Sequence, residues 1–272
     1  VGTNCGLIGK NAAVEVDGVA YWMSENGFFR YTGKLESLAC LVEDYVYDDI
    51  NTIPKNHIYA GLNNLFGEVT WFYPGSGAAS NNRSVTYNYM DSTAERPIWT
   101  TSSLSRSTWS DSHIFGKPHA TEYDSSATSD STVGNTDGVT TYYEHETGSN
   151  QIKAGATSAI AASIQSGDFD IGQQGATMGI GNDGEYMMKI RRVIPDFLSQ
   201  TGDARVTLNL KNYPTDSETS SSLGPFTTTT STTKIDTRAR ARAIALKVDN
   251  TSTTQHWKLG TFRLDIQPDG RR

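Results

Sequence analysis

Residues 20–31 read AYWMSENGFFRY, two aromatic runs separated by Glu25-Asn26-Gly27. Asn-Gly between apolar runs is a strong hairpin signal, because a type I′ turn needs positive φ at both central residues. Residues 57–62 (HIYAGL) and 68–73 (EVTWFY) frame a second hairpin, and residues 84–90 (SVTYNYM) alternate with period two, as a half-buried strand does. These patterns predict an all-β chain of short antiparallel strands.

The strands recur at near-regular intervals, with a Trp closing each unit. This spacing is typical of propeller blades or of a β-sandwich. We predict β-propeller-like blades followed by a β-sandwich-like antiparallel C-terminal region. The best helix candidate, residues 155–164, suits a strand equally well. The aromatic run Trp71-Phe72-Tyr73, with Tyr87 and Tyr89, is expected to pack in the core, with a sugar-binding platform as the alternative.

Charge is distributed unevenly along the 272 residues, which carry 23 basic and 30 acidic side chains for a net charge of -7. Residues 1–186 hold 9 basic and 22 acidic residues (net -13), and residues 187–272 hold 14 and 8 (net +6). We therefore predict an acidic β-propeller-like region over residues 1–184 and a basic antiparallel β region over residues 185–272. The overall sign disfavours a free-standing basic DNA-binding protein. Strands of the second region are expected at residues 186–194, 204–211, 238–249 and 260–266.

Several classes of protein are disfavoured by the sequence. No apolar run approaches the roughly 18 to 20 residues of a membrane span, so we expect no stable membrane insertion. The first residues lack Met and the features of a signal peptide, so we expect a piece of a longer chain. Cys5 and Cys40 are expected to be two buried thiols, with a single bridge as the alternative.

Motifs for catalysis and cofactors are missing from the sequence. No Ser lies in a GxSxG elbow, and there is no P-loop lysine or Cys/His array. Asp168-Phe169-Asp170 and Asn182-Asp183-Gly184-Glu185 carry oxygen ligands, but too few for a calcium site. We therefore expect a protein that is not an enzyme, with no catalytic, cofactor-binding or metal-binding residues.

An acidic cluster occupies residues 43–49 (EDYVYDD). On a strand, Glu43, Tyr45 and Tyr47 would share one face. We interpret the cluster as an acidic surface, either lining a lumen or contacting a basic neighbour, rather than as the acid and base of a glycosidase. Its carboxylates are Glu43, Asp44, Asp48 and Asp49.

A row of arginines, RARAR, occupies residues 238–242. On a strand, Arg238, Arg240 and Arg242 would project from one face, together with Ile244, Leu246 and Val248 further along, and the intervening alanines would pack against another layer. We expect the arginines to pair with carboxylates of the acidic region or of a neighbouring subunit, because Arg–carboxylate pairs are strong and directional. Contacts to phosphate are the alternative.

Residues 63–75, which include EVTWFYP, residues 83–89 (RSVTYNY) and Trp99 resemble the tail tube nozzle proteins of short-tailed bacteriophages. This family is also called tail tubular protein B and is related to the packaged-DNA stabilisation (tail hub) proteins. The resemblance is to the C-terminal part of a longer family member, and it spans nearly the whole chain in order. Further similar stretches are residues 2–12, 21–33, 43–51, 104–109, 143–148, 168–172, 191–196 and 259–272.

The resemblance implies a structural virion protein of the phage tail, assembled in the host cytoplasm. It implies a homo-oligomeric ring, expected to be a hexamer, that retains packaged DNA and conducts it during ejection. The implied partners are other tail proteins (adaptor, fibres or needle) and genomic DNA passing non-specifically through the channel. A carbohydrate-binding or receptor-binding tail component with a β-propeller is the alternative. The Ser/Thr-rich residues 124–138 and 215–233 are interpreted as exposed contact or decoration loops, the second as a long loop or an edge strand.

Overall fold

The structure, a computed structural model, is nearly all β, which confirms the predicted fold class. The chain divides into two compact units, residues 1–147 (unit 1) and residues 148–272 (unit 2). Most of the first Ser/Thr-rich segment, residues 125–137, lies outside the described residues. The structure describes residues 4–112, 114–124, 138–153, 155–171, 178–179, 186–213, 215–216 and 221–270.

The division into units falls earlier in the chain than the change of charge near Gly184. Strand Ala162–Gln165 pairs antiparallel with strand Ala243–Asn250, and this pairing ties the segment before Gly184 to unit 2. A count of charges contains no information about such long-range pairing. The separation of charge persists with the new boundary, since unit 1 holds 8 basic and 18 acidic residues (net -10) and unit 2 holds 15 and 12 (net +3).

Unit 1 is built from short strands and two short helical segments. In chain order its elements are β1 Ala13–Val16, β2 Val19–Ser24, β3 Gly27–Tyr31, β4 Leu35–Leu38, α1 Glu43–Asp49, a 3-10 helix Lys55–His57, β5 Tyr59–Asn63, β6 Glu68–Tyr73, β7 Arg83–Asn88, β8 Trp99–Ser102, β9 Thr108–Ser110, β10 His119–Asp124 and β11 Val139–Glu144. They form two four-stranded sheets of order β1-β2-β3-β4 and β5-β6-β7-β8 and a three-stranded sheet of order β11-β10-β9.

Both predicted hairpins of unit 1 are confirmed. Strands β2 and β3 close with Ser24 paired to Gly27. The prediction of a type I′ turn is wrong. Neither central residue of the turn, Glu25 or Asn26, has positive φ, and only Gly27 after them does, at +125°. The β5–β6 hairpin closes through residues 64–67.

Neighbouring sheets of unit 1 meet along their first strands. The Ala60 amide on β5 donates to the Asn11 carbonyl beside β1 (2.8 Å), and the Trp109 indole on β9 donates to the Leu62 carbonyl on β5 (2.7 Å). A Cβ at Gly61 would lie 2.6 Å from the Trp109 side chain, so only glycine permits this approach. Successive meander sheets joined in this way are blade-like, although the described residues close no propeller.

The core of unit 1 is aromatic. Trp71, Phe72 and Tyr73 are fully buried, which confirms that this run packs in the core. The Phe28 ring lies 5.0 Å from the Trp71 ring and 4.8 Å from the Trp99 ring, and the Trp71 indole donates to the Ala12 carbonyl (3.0 Å). The rings therefore bind the first two sheets to each other.

The acidic stretch is a helix, so its interpretation as a strand is wrong. Val42, Val46 and Ile50 recur every four residues and contact the unit 1 core, with Val46 fully buried. This helical spacing of apolar residues outweighs the weak strand signal of the aromatic residues. The carboxylates are thus arranged around a helix rather than on the two faces of a strand.

Unit 2 contains the remaining strands. They are β12 Asn150–Lys153, β13 Ala156–Ala159, β14 Ala162–Gln165, β15 Asp170–Ile171, β16 Met178–Gly179, β17 Met188–Ile194, β18 Phe197–Thr201, β19 Ala204–Lys211, β20 Ser222–Thr228, β21 Ile235–Ala241, β22 Ala243–Asn250, β23 His256–Leu259 and β24 Arg263–Pro268. Two sheets, β14-β22-β19-β20 and β21-β17-β24, enclose one core, which is the predicted sandwich-like arrangement. Their shared core contains Met188, Ile190, Val193, Val206, Leu208, Ile235, Ala239, Ala241, Ile244 and Val248.

Three details of unit 2 refine the expectations. Residues 155–164 contain β13 and most of β14, so the strand interpretation is correct there. The strand predicted over residues 238–249 is two strands, because the chain bends at Arg242. Within residues 215–233, β20 is an edge strand paired with β19, as the edge-strand alternative proposed.

Candidate functional site

Helix α1 presents two carboxylates on the surface of unit 1. Asp44 and Asp48 are exposed and one helical turn apart, and neither makes an ion pair or side-chain hydrogen bond with any described residue. Glu43 is only half exposed. The charges of Asp44 and Asp48 are therefore not compensated by a described residue.

Asp49, the last carboxylate of the cluster, is engaged within unit 1. Its Oδ2 lies 3.2 Å from Nε of Arg83, and both side chains line a surface cleft of about 340 Å³ with Tyr45 and Asp48. Burial raises the pKa of the nearby Tyr73 hydroxyl to about 12, and the charge of Asp49 adds to the effect. Since Arg83 compensates Asp49, the four carboxylates do not act as one cluster.

The arginine row is only partly as expected. Along β21 the side chains alternate, with Arg238 and Arg240 exposed and Ala239 and Ala241 buried, so the packing of the small face is confirmed. Arg242 lies at the bend after β21 and is half-buried, so it does not belong to the strand that carries Arg238 and Arg240. The bend also changes the alternation, so that Ile244 and Val248 are buried instead of lying beside the arginines.

The carboxylate partner of Arg240 lies within unit 2. The Arg240 Nε lies 2.5 Å from Oδ2 of Asp269, and its Nη2 donates to the Asp269 carbonyl (3.2 Å). The sequence predicts a carboxylate of the acidic region or of a neighbouring subunit, whereas this partner belongs to unit 2. Arg238 makes no ion pair or side-chain hydrogen bond with any residue in the described ranges.

Two more cations belong to the same surface. Lys189 on β17 lies opposite Arg240 on β21, and Arg191 lies where the register shifts between the pairs Ile190–Ala239 and Arg192–Asp236. We call Lys189, Arg191, Arg238 and Arg240 the cationic face. The alternating cations Lys189 and Arg191 are visible in the sequence KIRR at residues 189–192. Their position beside β21, however, depends on pairing between distant strands, which the local sequence does not show.

A buried polar cluster, absent from the sequence analysis, ties the third sheet of unit 1 together. The Arg106 guanidinium is 4% exposed and donates from Nε to Nε2 of His145 (2.9 Å). It also stacks over the Tyr143 ring, 4.0 Å from its centroid, and lies 3.8 Å from the Glu122 carboxylate. Tyr143 donates to the same carboxylate (2.7 Å), which completes the cluster.

His145 is held neutral in this cluster. Burial, together with the Arg106 charge, lowers the pKa of the imidazole to about 4. Because Nε2 accepts a hydrogen bond from Arg106, protonation would place a proton where the guanidinium already donates.

This lowered pKa predicts acid sensitivity of unit 1. Between pH 6.5 and 4 the unfolded chain binds a proton at His145 more readily than the folded chain, so stability falls as the pH falls through this window. We expect a loss of about 1 to 2 kcal/mol, since the partly exposed ring is screened by solvent. Urea unfolding at pH 7 and at pH 4.5 measures it. In a His145→Gln variant the fall should be smaller by this amount, and an equal fall in both proteins would contradict the prediction.

An exposed aromatic row lies on the third sheet of unit 1. The Phe115 and His119 rings are 4.7 Å apart, and His119 stacks on Tyr142 at 5.4 Å. Phe115 is 58% and Tyr142 63% exposed, so the row is available to a ligand or to another surface. Aromatic faces of this kind contact sugars or other apolar surfaces.

Cys5 and Cys40 form no disulfide, and both are of intermediate exposure, so the expectation that they are buried is wrong. Burial raises the pKa of Cys40 to about 11, so its thiol is not activated as a nucleophile. Among the described residues there is no group of three or more potential metal ligands, and no helix is long and apolar enough to cross a membrane.

Comparison with known proteins finds no protein-family model that matches this chain and no characterised protein that is significantly similar to it. The resemblance to the nozzle family therefore depends on the sequence motifs alone. Support for a function that is independent of this resemblance comes from the charged and aromatic surfaces of the structure.

Proposed function

We propose that this protein is a structural subunit of a phage tail nozzle, which retains packaged DNA in the virion and conducts it during ejection. The observation that carries the proposal is the separation of charge, with unit 1 at net -10 and unit 2 at net +3. A conduit for DNA must not hold phosphates tightly, and an acidic surface repels them. Contacts between subunits in a closed ring are heterologous, so each subunit contributes two different, complementary surfaces.

The blade-like sheets of unit 1 support the same proposal. Strands β1, β5 and β9 each belong to a different sheet, and the sheets contact one another through these strands. Such a rigid arrangement suits the wall of a channel better than a mobile catalytic loop. The motifs that resemble the nozzle family, residues 63–75 and 83–89, lie mainly on β6 and β7 in this frame. The resemblance therefore falls largely on residues that build the fold.

The second candidate function is binding of carbohydrate by a receptor-binding tail component. The exposed row of Phe115, His119 and Tyr142 favours it, because stacked exposed rings are a usual surface for sugars. The cleft beside Asp48 is open to a small ligand, although its Asp49 is compensated by Arg83.

One experiment separates the two functions. The protein is mixed with portal–adaptor complexes and, separately, with host polysaccharide, and binding is followed by negative-stain imaging and by depletion of the protein. Nozzle function predicts docking on the adaptor that Tyr142→Ala leaves unchanged. Binding to polysaccharide that is lost in Tyr142→Ala but kept in Tyr31→Ala, a matched exposed tyrosine of unit 1, would favour the carbohydrate function instead.

A further inference from the structure

We infer that the cationic face of unit 2 binds helix α1 of a second copy of this chain. The inference deepens the proposed function and rests on it, since it assigns the contact between neighbouring subunits of the ring. The two surfaces are on one chain, so each copy offers one to the neighbour on either side. Such a head-to-tail contact closes into a ring when its rotation allows.

The cationic face leaves like charges next to each other. Lys189 lies directly across the ladder from Arg240, and side chains in such positions are about 4.5–5.5 Å apart at Cβ. Like charges opposite each other destabilise a sheet, and only Arg240 of the four has a carboxylate shown to contact it, Asp269. Lys189, Arg191 and Arg238 make no ion pair with any described residue. The same sheet also carries Asp236, which is exposed on β21 and contacts Arg192 (3.3 Å), and Asp265 on β24, so its cations outnumber its carboxylates but are not without counter-charge.

The local geometry keeps these cations outward. Around Arg191 one residue of β17 stands opposite Thr237 and Arg238 of β21, and the ladder to β24 also shifts there. Register shifts of this kind redirect side chains and are common beside functional surfaces. Thr237 stabilises the irregularity by donating from Oγ1 to the Ile190 carbonyl (2.6 Å), while Arg191 and Arg238 are exposed.

Helix α1 carries the complementary charge on two exposed side chains. Asp44 and Asp48 are four residues apart on a helix, so their Cβ atoms are about 5–6 Å apart. Arg191 and Arg238 lie on the neighbouring strands β17 and β21 at the register shift, so both extend from the same part of the sheet. Two carboxylates at this spacing can each receive a guanidinium, and Arg–carboxylate pairs are among the strongest charged hydrogen bonds.

A second copy is a better occupant than DNA for this face. The chain as a whole carries -7, which opposes the approach of a polyanion such as DNA more strongly than that of a second copy, whose net charge is only its own -7. Each copy of the chain carries both α1 and the cationic face. Every cationic face in an assembly therefore has one α1 helix available to it from another copy. Asp44 and Asp48 are also without an ion pair among the described residues, so the contact would compensate both surfaces at once.

The test is a charge swap in the full chain, with assembly measured by light scattering at 50 mM and 500 mM salt. Arg191→Glu with Arg238→Glu changes the net charge from -7 to -11, and Asp44→Lys with Asp48→Lys changes it to -3. We expect each pair to weaken association by at least about 100-fold, as for reversed close charges at an interface. The quadruple variant, again at -7, should recover most of the assembly. Circular dichroism checks folding, which these exposed positions should leave intact.

The matched control reverses Arg96 and Lys258, two exposed cations outside both surfaces, and it should assemble like the wild type. If the wild type assembles and the Arg191/Arg238 pair does so equally well, or if the quadruple variant stays dissociated, the interface is overturned while ring function stands. If the wild type is monomeric at every concentration, both are overturned. If the arginine pair loses only salt-dependent DNA binding, the face is a phosphate site and the inference is wrong.

Discussion

Replacing Trp71 with alanine is expected to destabilise unit 1 by about 3 to 5 kcal/mol, the largest effect of any single change that we predict. The side chain is fully buried, its ring lies 5.0 Å from Phe28, and its indole donates to the Ala12 carbonyl beside β1. Truncation leaves a cavity between the first two sheets and removes one of the two donors to the Ala12 carbonyl, which keeps the Met23 amide (3.1 Å). Since domains are stable by only about 5–15 kcal/mol, much of unit 1 stability would be lost.

Urea unfolding of the full chain, followed by far-ultraviolet circular dichroism, measures this change. Trp22→Ala is the matched control, because Trp22 is only half-buried and stacks on Phe29 on the opposite side of the first sheet. We expect it to cost clearly less than Trp71→Ala. Equal losses for the two variants would show that the aromatic core does not hold the sheets together as described.

Removing the Glu122 carboxylate is expected to cost about 3 kcal/mol, the second largest effect. In Glu122→Ala the Arg106 guanidinium stays buried without its carboxylate, and the Tyr143 hydroxyl loses its acceptor. An unpaired buried charge is far more costly than the net benefit of the original pair. The loss should appear in the unfolding of unit 1, because the cluster links the segment before β9, which carries Arg106, to β10 and β11.

The control for this prediction is Glu144→Ala on the neighbouring strand. Glu144 lies 3.7 Å from Lys117, almost the same separation as in the buried pair, but both side chains are 40–50% exposed. Exposed ion pairs contribute about 0 to 1 kcal/mol, so this change should be nearly silent. A cost for Glu122→Ala as small as for Glu144→Ala would mean that water reaches Arg106.

The fold was predictable where the signal was local. Period-two alternation and turn residues located β2, β3, β5, β6 and β7, since these strands have one face in an aromatic core. Helix α1 was missed because Tyr45 and Tyr47 favour strands, while its helical signal is the four-residue spacing of Val42, Val46 and Ile50. Propensity in a segment of seven residues is weak, and contact with the core decides it.

The candidate surfaces were only half predictable. Arg238 and Arg240 were found because alternation along one strand is visible in the sequence. Arg242 was predicted on the same strand, but a bend ends the strand there. Lys189 and Arg191 were missed because their position beside β21 depends on pairing between residues far apart in the chain. The Arg106 cluster shows the same limit, since Glu122 and His145 come from separate segments.

We propose that this chain is a subunit of a ring that conducts DNA. The measurement that tests it most directly is the mass of the purified protein by light scattering over a range of concentrations, with negative-stain images of the same samples. We predict a closed ring, expected to be a hexamer, with a central channel. A protein that stays monomeric at every concentration, with no channel-bearing particle in the images, would contradict it.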